Sequence, residues 1–441
     1  MKKAIFKMAI VSLAAFMAAV GFTGCPRDAG PPDRVVFWSA HGPPDIEYQR
    51  MIVNAFNATN PRYPVEMVIV PGAETDATAL LIAIRGGTGP DLYMLDRFTV
   101  AQRASDGFLE DITDLLLSHD PNISQRYVPY AWAEVVWRNR IYGLPFDTDS
   151  RALFFNKTML REAGVDPAEL DPANGPLTFA RLREIARMVD TTDADGNYIR
   201  AGFIPTLSQG WHYTWGFASG GEFADIAAGR VTPTHPGVVR GFQFLYDWNA
   251  DMGPAEVQTF ISSFFPPGSP PMRNPFLTEN VAMLLIGNWF VAHLARYAPH
   301  IEWGVTYIPV PNAGDPQATW SGGFSFVVPR EARNKEGAIE FMLFAAGMEG
   351  QRIFSRMPAM PTYQALLNEI LAAPAGFGIP EIFLRSLQFS RSRPPIPVAA
   401  LYWDALSTAQ SLVIQNHMQP LEALQAVEQQ VQPLLEEFLR R

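Results

Sequence analysis

Cys25 is the only cysteine in 441 residues, so no intramolecular disulfide can form and a cysteine nucleophile has one possible position. The other patterns that could carry chemistry exclude more than they promise. Gly86-Gly87-Thr88-Gly89-Pro90 is glycine-rich, but it follows a helical stretch and lacks the Gly-Lys-Ser/Thr ending of a phosphate-binding loop. Asp193, Asp195 and Asn197 copy the opening of a calcium loop. Tyr198 then stands where that loop needs glycine and Ile204 where it needs a bidentate acid, so the segment reads as an Asp-Gly turn. No His-Glu-x-x-His and no Gly-x-Ser-x-Gly occurs. No cofactor and no metal is expected. What remains is an abundance of acids, arginines and aromatic rings. A sugar ring offers hydroxyls around its rim and an apolar C–H face, so a site for one needs flat aromatics and charged or amide groups. Clefts of the same composition serve glycoside hydrolases, but no two acids here have a spacing that specifies catalysis.

Export is written at the amino terminus. Lys2, Lys3 and Lys7 lead into the apolar run Met8 to Phe22, which is short beside the roughly 20 residues of a membrane span and suits a removable signal. With Phe22-Thr23-Gly24-Cys25 at its end, the segment resembles a bacterial lipoprotein signal. That resemblance implies removal of residues 1–24 and acylation of Cys25 as the new first residue, placing an exported body on the cell membrane. Each buried methylene of an acyl chain contributes roughly 0.8 kcal/mol to such an anchor. Removing three lysines from 34 Lys+Arg leaves 31 against 44 Asp+Glu, an acidic surface that repels nucleic acid and anionic lipid. No later run is long and apolar enough to cross a bilayer, so the membrane is met only through the lipid.

After a Pro/Gly linker over residues 25–33, Val35 to Trp38 reads as a strand, Ile46 to Ala58 as a helix and Val65 to Val70 as a strand. A helix at Leu80 to Arg85 and a strand at Asp91 to Leu95 follow. This alternation predicts an α/β fold with mostly parallel sheets flanked by helices and ligands beyond the strands' carboxyl ends. Thr178 is placed to cap a helix over Phe179 to Val189, and Val238 to Trp248 has strong helical periodicity. No repeat of 20–50 residues occurs.

The order of short motifs resembles the extracellular solute-binding proteins of ABC importers, in their maltose-binding-protein-like branch. The motifs are Val35-Val36-Phe37-Trp38, Gly89-Pro90-Asp91-Leu92, Gly107-Phe108-Leu109-Glu110-Asp111-Ile112, Tyr142-Gly143-Leu144-Pro145, Phe154-Phe155-Asn156-Lys157 and Gly287-Asn288-Trp289. The resemblance implies two α/β lobes with a ligand cleft between them, the N-terminal lobe from 33–147 and 320–361 and the C-terminal lobe from 148–319 and 362–441. It implies a monomeric receptor that captures a mono- or oligosaccharide and hands it to a membrane permease. The alternatives are a secreted carbohydrate-active enzyme and a sensory receptor. Carried over position by position, it implies that Asp96 and Arg97 hold hydroxyls and that Asp147 and Asp149 line the cleft. It further implies that Trp289 and Trp403 stack on sugar, and that Trp211 and His212 contribute from the second lobe. Gly322 and Gly323 would let backbone approach the ligand, and Trp38 and His41 follow the first strand, where the family carries an acid and a lysine.

Overall fold

The computed structural model describes residues 34–59, 62–70 and 78–440; the signal, Cys25 and the linker lie outside them. Val35–Ser39 alternates buried and half-buried positions, as a strand covered unequally on its two faces should. Leu92–Asp96 is buried throughout and takes a central place. The first sheet runs Val65–Ile69, Val35–Ser39, Leu92–Asp96, Phe324–Val327, Gly143–Pro145. The second runs Trp303–Thr306, Arg151–Asn156, Val281–Gly287, Tyr198–Phe203, Thr191–Thr192.

The two-lobed α/β expectation holds, but the sheets are mixed, which corrects the expectation that each is mostly parallel. Val35–Ser39 is parallel to both neighbours, whereas Phe324–Val327 pairs antiparallel on both sides. In the second sheet only Tyr198–Phe203 and Val281–Gly287 are parallel. The reason is topological. Phe324–Val327 and Arg151–Asn156 enter their sheets from the other lobe, so no helical crossover fixes their direction.

Helices cover both sheets by burying one stripe each. Thr178 accepts the Arg181 N–H at 3.1 Å and caps Phe179–Val189, which buries Leu182, Ile185, Ala186 and Val189. That helix lies on Gly202, where a Cβ would stand 2.2 Å from the Ala186 carbonyl oxygen, so only glycine permits this approach. Asp193 accepts backbone N–H bonds from Asp195 and Asn197, the Asp-Gly turn expected from the sequence.

Three segments pass between the lobes. Asp147–Thr148 pairs antiparallel with Met360–Pro361. The third passage runs through Gly322 and Gly323. Ahead of it, Thr319–Ser321 pairs with Ser390–Ser392 rather than with the first sheet, so Trp320 sits on the second-lobe side and the first sheet resumes at Phe324. Helices Ala399–Ile414 and Pro420–Arg440 pack with His212–Ala218 and Pro236–Met252, and Phe98 of the first lobe inserts among them. Ion pairs also join the lobes: buried Asp96–Arg393 at 2.6 Å and exposed Glu47–Arg296 at 2.6 Å. Among the described residues no helix is long and apolar enough to cross a membrane.

Candidate functional site

Beyond the carboxyl ends of Val35–Ser39 and Leu92–Asp96, the lobes enclose a cavity of ≈180 Å³. The first lobe supplies His41, Asp45, Asp96 and Phe324. The crossing strand supplies Asp147, Thr148 and Asp149, and the second lobe supplies Arg151, Asn288, Trp289 and Arg393. A larger hollow of ≈460 Å³ lies between Phe179–Val189 and Pro236–Met252, on the outside of the second lobe, where Asp251 is already ion-paired with Arg183 and Arg187. It touches neither the strand ends nor a crossing segment.

Two of the four acids of the cavity come from one extended segment. Asp147, Asp149 and Arg151 alternate along it, which turns them to one side. Asp149 accepts the Gly322 N–H at 2.6 Å and pairs with Arg151, whose guanidinium lies 3.3 Å from the Trp320 ring centre and 5.4 Å from that of Trp289. Asp147 accepts the Phe324 N–H at 2.6 Å. Trp289 follows Val281–Gly287 and lays its ring over Gly287, where a Cβ would fall 1.8 Å from it. Asp96 ends its strand and accepts from Arg393 at 2.6 Å.

Withdrawal from solvent raises the Asp45 carboxyl to about 7, and the Asp45 Oδ1 is buried with no hydrogen-bond donor. Asp147 is likewise raised to about 7 by desolvation, with the Phe324 N–H opposing. Burial lowers His41 to about 4, so it is a neutral imidazole whose Nδ1 lies 3.0 Å from Gln49 Nε2. An aspartate raised on folding is costly to ionise, so its folded form holds its proton from about pH 4 up to its raised value. The stability it confers is therefore present at low pH and is lost as the pH rises through about 7. Asp147→Asn should consequently gain stability relative to the parent as pH rises from about 4 to 7. Melting curves at stepped pH measure this, and parallel curves for the two proteins would show Asp147 to be ionised throughout.

Of the residues singled out in the sequence, His41, Asp96, Asp147, Asp149, Trp289 and Gly323 line the cavity. Gly323 has φ +123, and a Cβ there would stand 2.3 Å from the Asp147 carbonyl oxygen. The remaining six do not line it. Trp38 packs beside Leu80, Ile84 and Tyr93 on the other side of its strand. Arg97 is fully buried; its Nε donates to Glu134 at 2.8 Å, and its other nitrogens donate to the carbonyls of Asp147 and Gly322. Gly322 is thereby engaged through both its N–H and its carbonyl. His212 is fully buried, lowered to about 3 by desolvation first and Arg393 second. Its ring centre lies 4.8 Å from that of Trp403, and Trp211 lies 5.3 Å from the same ring. These three rings form a core behind Arg393 because each can exclude water by packing on the others.

Asp45, Arg151 and Arg393 were not anticipated. The alternation Asp147-Thr148-Asp149-Ser150-Arg151 was a usable signal for Arg151. Arg393 stands in Ser390-Arg391-Ser392-Arg393, and only the tertiary fold brings it to Asp96.

Two α/β lobes, three crossings and an interlobe cavity are the architecture of a two-lobed solute-binding receptor. The chain belongs to the bacterial extracellular solute-binding protein family, whose profile matches residues 42–352. It is 23% identical over 388 residues to the maltotriose-binding protein of Pyrococcus abyssi, spanning 85% of this chain and 76% of that one. In fold it is similar to CpMnBP1 with mannotriose bound, at a TM-score of 0.78 and 21% identity over 90% of this chain and 99% of the other. It is also similar to a solute-binding protein of Thermotoga lettingae bound with α-D-tagatose, at 0.73 and 23% identity over 91% and 100%.

Proposed function

We propose that this chain captures a carbohydrate in the interlobe cavity, unchanged, and presents it to the membrane permease of an ABC importer. The observation that carries the reading is the cavity wall: a tryptophan face, Trp289, beside Asp147 and the ion pairs Asp96–Arg393 and Asp149–Arg151, enclosed by two lobes. An indole face matches the C–H side of a pyranose, and charge-assisted bonds to hydroxyls supply orientation. The maltotriose-binding protein and the two structures with mannotriose and α-D-tagatose bound support the same class. The moving bodies are residues 34–147 with 323–361, and 148–322 with 362–440, turning about the paired segments Asp147–Thr148 and Met360–Pro361. Asp96 from one body and Trp289 from the other would then hold the sugar only when the lobes are closed. The receptor acts as a monomer, tethered through Cys25.

Calorimetry against a panel of sugars, amino acids and polyamines tests this. Saturable binding by a sugar, with labelled oligosaccharide recovered intact, is expected; response to a non-sugar alone overturns the assignment, and cleaved sugar makes the chain an enzyme. For the tether, Cys25→Ser should move the protein from the membrane fraction to the soluble one. An unmodified Cys25 in the mass spectrum of membrane-bound protein would refute acylation.

A further inference from the structure

Arg393 occupies the place where a second sugar ring would otherwise find its stacking faces. It follows the strand Ser390–Ser392 and is 1% exposed. The guanidinium carbon lies 3.8 Å from the ring centre of Phe98, 4.9 Å from Trp320 and 5.4 Å from Trp403. Its Nη2 donates to Asp96 at 2.6 Å. Three aromatic faces and one carboxylate, the chemistry suited to an extended sugar, are thus turned on a side chain of the protein itself. What is left open is bounded by Trp289, Asp147 and Asp149 on the near side of Arg393, while Trp403 is shut off from it. The ≈180 Å³ of this space falls below the ≈300–1,000 Å³ of pockets for drug-sized ligands. It admits one ring.

We infer that Arg393 is a specificity-determining residue that closes the aromatic end of the cleft and restricts the ligand to a single monosaccharide unit. This rests on the carbohydrate reading above. Trp320 and Trp403 belong to the same body as Arg393, so opening the lobes leaves the guanidinium on these two rings and does not expose them to a longer chain.

The experiment compares D-mannose with mannobiose and D-glucose with maltose by calorimetry on the parent and on Arg393→Ala. The variant is made alone and with Asp96→Asn, so that no carboxylate is left buried without its cation. In the parent, a monosaccharide should bind at least tenfold more tightly than its matching disaccharide. In a folded variant that preference should shrink or reverse, the disaccharide gaining at least tenfold relative to the monosaccharide. A parent that prefers the disaccharide overturns the inference whether or not any variant folds. A folded variant that keeps the parental preference also overturns it. If other sugars bind and these four do not, the same comparison with D-galactose and lactose or D-fructose and lactulose decides between the two outcomes. If no sugar binds the parent at all, the carbohydrate reading itself falls and takes this inference with it.

Discussion

Arg97→Met is expected to lower the melting temperature by roughly five to ten degrees, with a loss of about 3–5 kcal/mol. The substitution strands Glu134, a buried carboxylate whose ionisation is opposed first by desolvation and supported chiefly by Arg97. It also removes the donors that tie the carbonyl of Asp147 to that of Gly322, two of the three passages between the lobes. Pairing it with Glu134→Gln should recover much of the loss, because the uncompensated charge is gone. Thermal unfolding of the two variants decides the matter. An unchanged melting temperature with abolished sugar binding would give Arg97 the ligand-holding role implied by resemblance.

The second large effect is on affinity. Trp289→Ala removes the tryptophan face that lines the cavity and leaves Arg151 without one of the rings it lies over. Losing about 1.5–3 kcal/mol of buried aromatic contact weakens binding by roughly ten- to a hundredfold. The fold should tolerate it, since Trp289 is half-buried and packs at the margin of its core. Calorimetry with the sugar bound by the parent measures the change, and unaltered affinity would mean that the ligand sits elsewhere in the cleft.

Local pattern was legible and partnership was not. The Thr178 cap and the strand before Asp96 follow from short-range rules that act within a few residues, and both stand in the structure. The placement of Asp96 and Trp289 at the ends of strands was legible for the same reason. Arg97 was a different matter: adjacent to Asp96 in the chain, it points away from the cavity because a 3-10 turn begins there and carries it toward Glu134. Tryptophans 211 and 403 were ambiguous in principle. A large amphipathic ring suits a sugar or a core equally, and only the arrival of Arg393 from a distant strand settles which faces stay open.

The antiparallel position of Phe324–Val327 in the first sheet also bears on how the chain matures. A polypeptide delivered amino-terminus first has Leu92–Asp96 formed while its partner on the far side, Phe324, is still 228 residues away, from 324 less 96. Until then that strand is an open edge of apolar residues, a template for pairing with other chains. The second sheet waits less, since Arg151–Asn156 meets Trp303–Thr306 within about 150 residues. Nascent copies are therefore most prone to aggregate in the interval before residue 324 arrives, and the long-range closure of the first sheet makes that interval slow.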